Sequence, residues 1–427
     1  MTEIKLVERV EGHVEVDFEI DAKGDKKAKF SIAEGPRLFE SFLRDRKYDE
    51  VPFFASRICG FCPIVHNLSA IKALENAMSI EPTEQVTKFR RALNLMEFIQ
   101  SHSAHLYVLT LPDFVNKSGD IFNLSSKLPE EVKKAVKLRK DVNSLIEDLG
   151  GRAVHPLTTR VGGFSKIPSD SQIEKGISKL EEMMPIAEET VDLIASLDMP
   201  NFDASTNYLA LGRNDDRYAT YDGFVHSTDG LEFEVNEYSK IIQEETKSYS
   251  TAKFSTIEDK PYLTGALSRI NLNGDNLSEN AKRKISEANV EFPNHNPYYN
   301  NLAQAIEIVH SIDEIIEIYS NLLTEDLSEV ELLGKELKEN GIEIKAGKGT
   351  DAVEAPRGTL FHYYEVNENG IVKDADILTP TAQSAANIER DINLMISQSS
   401  DLPKEELEEK IKVLVRAYDP CISCSVH

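Results

Sequence analysis

Over residues 13–20 the sequence HVEVDFEI alternates apolar and polar positions, a period of two that predicts a strand with one buried face. AKGDKK supplies a turn and AKFSIAEG returns as a second strand, so residues 3–33 read as a small β element. Beyond the first cysteines the period changes. Apolar side chains recur at three- and four-residue intervals over 67–78 and 83–111, which predicts helices. The same spacing predicts helices over 129–149, 170–197, 234–248, 277–289, 298–323 and 326–340. Pro129 suits a first helical turn and Gly150-Gly151 a stop, whereas Pro185 should kink or divide the helix that contains it. The Asn-, Asp- and Gly-rich stretch 198–233 reads as loop with short strands. LFHYYEV, NENG and IVKDADIL predict a hairpin over 360–378 with Asn369-Gly370 in its turn region, followed by helices over 381–398 and 403–416. The expectation is a mainly α fold with small β elements near both ends (α+β). No internal repeat or low-complexity linker marks a boundary, so residues 1–427 are expected to form one intertwined domain.

Composition narrows the function classes. The 427 residues carry 48 basic and 73 acidic side chains, a net charge of −25. Capture of DNA, RNA or an anionic membrane needs a positive field, so neither nucleic acid nor membrane is expected as a partner. No apolar run reaches the roughly 18–20 residues of a membrane span. The opening MTEIKLVERVEGH lacks the apolar core of a signal peptide, and the expected location is the cytoplasm.

Cysteine changes the picture most. The chain has four, Cys59, Cys62, Cys421 and Cys424, in two CxxC pairs with 358 residues between them. A disulfide framework belongs to small secreted domains. Paired CxxC segments also suit a redox dithiol or a structural zinc site, but zinc ribbons separate their pairs by about 15–20 residues. Pairs drawn from opposite ends of a long chain suggest a cofactor at the centre of the fold. A zinc-stapled structural or adaptor protein stays open as the alternative.

The first pair sits in RICGFCPIVH (57–66) and the second in RAYDPCISCSVH (416–427), giving CxxCxxxH near the front and DPCxxCxxH at the end. These strings resemble the large subunit of nickel–iron hydrogenases, over essentially the whole chain. RVEGH at 9–13, RLFE at 37–40, SHSAHLYVL at 101–109, GGRAVHP at 150–156 and EAPRG at 354–358 fall in that family's order. Length and ending look most similar to its cytoplasmic multisubunit group, which includes archaeal NADP-linked hydrogenases. The resemblance implies the large-subunit fold, a central helical bundle with β hairpins near both termini.

The implied reaction is reversible heterolytic cleavage of H2 at a nickel–iron centre carrying one CO and two cyanides. Such chemistry needs a soft, electron-rich metal beside a base for the proton, and thiolates suit that metal. By resemblance Cys59 and Cys421 are terminal nickel ligands, while Cys62 and Cys424 bridge to iron. Glu11 takes a proton from Cys421, and Arg357 lies over the metals with Asp419 as its partner. Thr381, behind Pro380, donates to a cyanide; Leu360 forms an apolar wall beside the diatomic ligands; His66 hydrogen-bonds a bridging thiolate. A Mg2+ is implied near the C-terminus, held by Glu40, His427 and the carbonyl of about Ile377, with waters completing its shell. His102 and His105 read first as satisfied core histidines, His102 being the one expected closer to the site.

Two positions depart from the family's form. Ala382-Gln383-Ser384 follows Thr381 where a Thr-Trp-Asn-like continuation is common, and Ser101 stands where an acidic residue is frequent. All four cysteines are committed, so no iron–sulfur cluster is expected in this chain. An iron–sulfur small subunit is the implied partner, with further iron–sulfur and flavin/NAD(P)-binding subunits beyond it. A deazaflavin or a disulfide-reductase partner is the alternative acceptor. No GxGxxG fingerprint occurs, so no nicotinamide site is expected here. The sequence stops at His427, the last position of DPCxxCxxH. Related sequences commonly encode a short tail removed during maturation, and the expectation is that this gene does too.

Overall fold

The alternating N-terminal segments form a three-stranded antiparallel sheet, Glu3–Val7, Val14–Ile20 and Lys26–Ile32, paired in sequence order. This computed structural model describes residues 3–20, 26–115, 121–328, 330, 342–399 and 402–427. Among these residues no helix is long and apolar enough to cross a membrane.

The helical bundle is built on Pro63–Met78, Glu84–Ala104, Pro129–Gly150, Asp170–Ala195 and Asn300–Leu322. Asn300–Leu322 packs against both Glu84–Ala104 and Asp170–Ala195 and is buried on most of its circumference. Pro63–Met78 is also buried almost all round, because strand Gly347–Ala355 covers the face that the other helices leave. That approach is unusually close. A β-carbon added at Gly349 would stand 2.2 Å from the carbonyl oxygen of Ala73, so only glycine lets strand and helix backbones meet there.

The C-terminal hairpin is the middle and last part of a three-stranded sheet, Gly347–Ala355, Gly358–Val366 and Val372–Leu378. Its first strand was not anticipated, since GKGTDAVEA is glycine-broken and lacks clean alternation. Helices Pro380–Gln398 and Lys404–Ala417 then lead to the second cysteine pair. Pro380 occupies the first helical position, where a missing N–H goes unnoticed.

One helical expectation fails, and one of the two outcomes expected at Pro185 is ruled out, each for an identifiable reason. The segment 234–248 is a short 3-10 turn, a four-residue helix Tyr238–Ile241, and then a strand, Ile242–Thr246, paired with Lys253–Ile257. IQEET at 242–246 has charged and polar side chains that suit an exposed edge better than a buried helical face. The predicted kink at Pro185 does not divide Asp170–Ala195, which continues as one helix. Pro185 is exposed, so the carbonyl it leaves unpaired a turn earlier faces solvent. The helix expected over 83–111 runs to Ala104 and then widens into a π-helix, His105–Thr110. The helix expected over 326–340 lies largely outside the described residues.

Candidate metal centre

The chain ends meet at the cysteines. Glu11 and Cys421 form an isolated parallel bridge, and the Ile422 N–H donates to the Glu11 carbonyl at 2.9 Å. Cys59 and Cys62 lie in the turn before helix Pro63–Met78, while Cys421 caps the short helix Ile422–Ser425 and Cys424 lies within it. All four thiols are unpaired by disulfides and at most 4 % exposed. Their sulfurs lie within 4.8 Å of one another, with Cys59–Cys421 at 3.3 Å, Cys62–Cys424 at 3.2 Å and Cys421–Cys424 at 2.9 Å.

The sulfurs titrate unevenly. Against the upward push of burial, hydrogen bonds from the other three sulfurs and the Arg357 charge hold Cys59 well below the usual thiol value. Burial and the neighbouring sulfurs drive Cys421 well above it. Four buried thiolates at these distances repel one another unless a cation sits among them. An all-sulfur donor set fits a soft or borderline metal and fits a hard ion poorly. The residues present therefore suit the nickel–iron group that the motifs imply.

Hydrogen bonds around the cluster are not symmetric. The Glu11 carboxylate accepts from the Cys421 thiol at 3.2 Å, from the Ser423 N–H at 2.9 Å and from the Ser423 hydroxyl. Thr381 Oγ1 accepts from the Cys421 N–H at 2.9 Å, leaving its own proton free to donate. Arg357 donates through Nε to the Asp419 carbonyl and through Nη2 to Asp419 Oδ1, each at 2.9 Å. Its Nη1 donates to the Ser101 hydroxyl at 3.1 Å, so the serine still engages the guanidinium. His66 stands 3.6 Å from the Cys424 sulfur, and burial lowers its pKa to about 3. Leu360 is fully buried in strand Gly358–Val366.

Glu40, His427 and Ile377, the residues implied for a second ion, lie together. Glu40 lies 3.5 Å from His427 Nε2 and accepts from the Ile377 N–H at 3.2 Å, so it is this N–H that Glu40 meets here. Against burial, His427 and Lys253 hold the Glu40 carboxyl below its usual value.

The two helical histidines divide differently from the expectation. His105 reaches toward the site, 3.8 Å from Asp419 and 2.8 Å from the Arg416 carbonyl, while His102 binds Glu307 at 2.8 Å. The π-helical widening begins at His105, a feature that a fixed period of 3.6 does not foresee.

Other contributors carry no motif. Glu97 accepts from the Ile64 and Val65 N–H groups at 2.7 and 3.0 Å, capping the helix that follows Cys62, and burial pushes its pKa up to about 8. Arg37 spans both cysteine segments, donating to the Ile58 and Ser423 carbonyls. Arg269 is fully buried, and each of its five N–H bonds has an acceptor. Nε and one Nη2 proton bind Glu307 at 2.6 and 2.8 Å. The remaining three bind Glu354 at 2.9 Å and the carbonyls of Ala355 and Pro356 at 2.9 and 3.0 Å. It thus pins the backbone just before Arg357. A buried arginine amid apolar sequence, as in GALSRINL, is the only signal that could have found it.

Comparison with known proteins agrees with this site. The profile described as nickel-dependent hydrogenase matches residues 37–132 and 213–427, and the chain belongs to that family, among its large subunits. The alpha chain of sulfhydrogenase 1 from Pyrococcus furiosus is 37% identical over 426 residues, covering 99% of this chain and 97% of that protein. The corresponding chain of sulfhydrogenase 2 from the same organism is 32% identical, covering 98% and 97%. One chain of the F420-non-reducing hydrogenase of Methanothermobacter thermautotrophicus is also 32% identical, covering 99% and 93%. The crystal structure of an NAD+-reducing NiFe-hydrogenase in the H2-reduced state superposes with a TM-score of 0.85 at 26% identity, covering 100% of this chain and 99% of that one.

Proposed function

We propose that this chain is the catalytic subunit of a cytoplasmic nickel–iron hydrogenase. In this reading all four cysteines would hold the nickel–iron group with its one CO and two cyanides, Cys59 and Cys421 as terminal nickel ligands and Cys62 and Cys424 as ligands shared with iron. When bound, that group supplies heterolytic cleavage of H2. The observation that carries the reading is the asymmetry of the cluster: one thiol of the four, Cys421, donates to a carboxylate. A structural four-thiolate site has no need of such a base; proton chemistry does.

Glu11 then receives the proton that leaves the Cys421 sulfur, 3.2 Å away, while the Ser423 N–H holds the carboxylate in place. Arg357 keeps a fixed positive charge over the thiolates, oriented by Asp419, whose other oxygen accepts from Gln304 at 3.0 Å. Thr381, at the start of a helix behind Pro380, would offer its hydroxyl proton to a cyanide, and Leu360 would wall off water. Glu40, His427 and the Ile377 carbonyl would hold a Mg2+, which would supply a cross-link for the C-terminal residues.

With every cysteine committed, electrons leave through an iron–sulfur small subunit, and from there to a soluble acceptor such as NAD(P). The meeting of Glu11 with Cys421 and of the two cysteine pairs at one site supports a single domain over 1–427. The test is metal analysis with infrared spectroscopy of the purified complex. About one nickel and one iron per chain, with one CO and two cyanide stretches, are expected. An H2-oxidising preparation containing zinc and no nickel would defeat the reading.

A further inference from the structure

Strand Gly358–Val366 sends alternate side chains to one face, and Leu360, His362 and Tyr364 share the face toward helix Pro63–Met78. The last two continue a line that begins at a cysteine. The Cys424 sulfur lies 3.6 Å from His66 Nε2, His66 Nδ1 lies 3.2 Å from His362 Nε2, and His362 Nδ1 lies 2.8 Å from the Tyr364 hydroxyl. His66, His362 and Tyr364 are all 0 % exposed.

The chemistry of the groups leaves this line one direction. A thiolate bound to metal has no proton and can only accept, so His66 Nε2 must donate. Among the described residues no carboxylate bonds either ring, so neither has a partner for a second ring proton and each carries one hydrogen. A neutral ring with a protonated Nε2 accepts at Nδ1. His362 Nε2 must then donate to His66, its Nδ1 must accept, and the Tyr364 hydroxyl must supply that proton. Every hydrogen points at the sulfur.

We propose that Tyr364 and His362 are positioning residues that fix the His66 tautomer, and so hold a permanent hydrogen bond on the bridging thiolate of Cys424. The inference rests on the reading of Cys424 as a metal ligand. A donated hydrogen bond draws electron density from sulfur and hence from the metals it bridges, in the way outer partners tune ligands elsewhere. Without the tyrosine hydroxyl, His362 is free to take the other tautomer, and His66 loses the reason to donate.

Infrared spectra of the purified complex test this with Tyr364→Phe, which keeps the ring and its packing. The CO and cyanide stretches should move to lower wavenumber or split, and the added change His362→Gln, whose amide can donate to His66 without a tyrosine, should restore them. A merely structural tyrosine would alter the melting temperature and leave the bands in place; unmoved bands in fully metallated Tyr364→Phe overturn the proposal. If Tyr364→Phe fails to retain metal, recovery of metal and bands in the double variant supports the relay, and failure to recover overturns it. Wild-type enzyme lacking these bands altogether defeats the metal assignment, an outcome distinct from unmoved bands.

Discussion

Replacing Arg269 by methionine removes a buried cation of similar length and leaves two buried carboxylates without it. The magnitude can be reached twice. Breaking a buried ion pair from one side typically costs about 3–5 kcal/mol. Independently, against burial, Arg269 and to a smaller extent His102 take the Glu307 pKa from the usual 4.5 to about 2. A fall of that size corresponds to roughly 3 kcal/mol of stability. With about 2.1 cal/mol/K of unfolding entropy per residue, 427 residues turn a 3–5 kcal/mol loss into a melting drop of ~3–6 °C. The pH dependence follows from the sign of the shift. A carboxyl whose folded pKa is depressed stabilises fully above 4.5, and that contribution disappears as pH falls toward 2. In the variant, burial pushes Glu307 up against His102 and the Tyr218 hydroxyl alone, and pushes Glu354, already above its usual value with Arg269 present, further up, so ionisation of this carboxylate pair opposes folding. The deficit against wild type should therefore be largest near pH 8 and shrink toward pH 5. Calorimetric melting of the purified complex at one scan rate, repeated across that range, measures it. Arg269→Met combined with Glu307→Gln should recover part of the loss, because the stranded charge is gone. A deficit below about 1 °C at pH 8, or one that ignores pH, would refute the reasoning.

Glu11→Gln keeps the shape and hydrogen bonding around Cys421 and removes the proton acceptor; H/D exchange should fall by about 10²–10⁴ or more at unchanged metal content, and near-normal exchange would show another exit for the proton. Arg357→Lys loses the planar fork that grips Asp419 and Ser101, and H2-uptake turnover should fall about 10- to 100-fold, as loss of ~1.5–3 kcal/mol of charged hydrogen bonding implies. Wild-type turnover in a metallated lysine variant would remove Arg357 from the site. Gly349→Ala forces strand and helix apart at Ala73 and should destabilise by at least ~1–3 kcal/mol, read as lower melting and poor yield of folded protein. An unaltered melting curve would mean that the backbones separate freely.

The four thiols, Glu11, Arg357 and Asp419 were legible because each stands in a short motif. The structure gathers the four sulfurs, sets Glu11 on Cys421 and pairs Arg357 with Asp419. Long helices were legible too, since Asn300–Leu322 and Pro129–Gly150 show their period over five or more turns. What the sequence hid was partnership across distance. Glu97 looks like any acidic helix residue until the Ile64 and Val65 N–H groups are seen on its carboxylate. Arg269 has no motif and no periodic signature, because its meaning lies in carbonyls 86 and 87 residues away. Strand Ile242–Thr246 was missed because local spacing cannot tell a short polar edge strand from an exposed helical turn.

The distance between the two cysteine pairs is also an interval of time. A ribosome adding about 5–20 residues per second needs roughly 20–70 s to travel from the first pair to the second. Throughout that interval the thiols of Cys59 and Cys62 have emerged without the pair that completes their site. Synthesis therefore sets a window in which oxidants and stray metals compete for half a cluster, and the late arrival of Cys421 and Cys424 closes it.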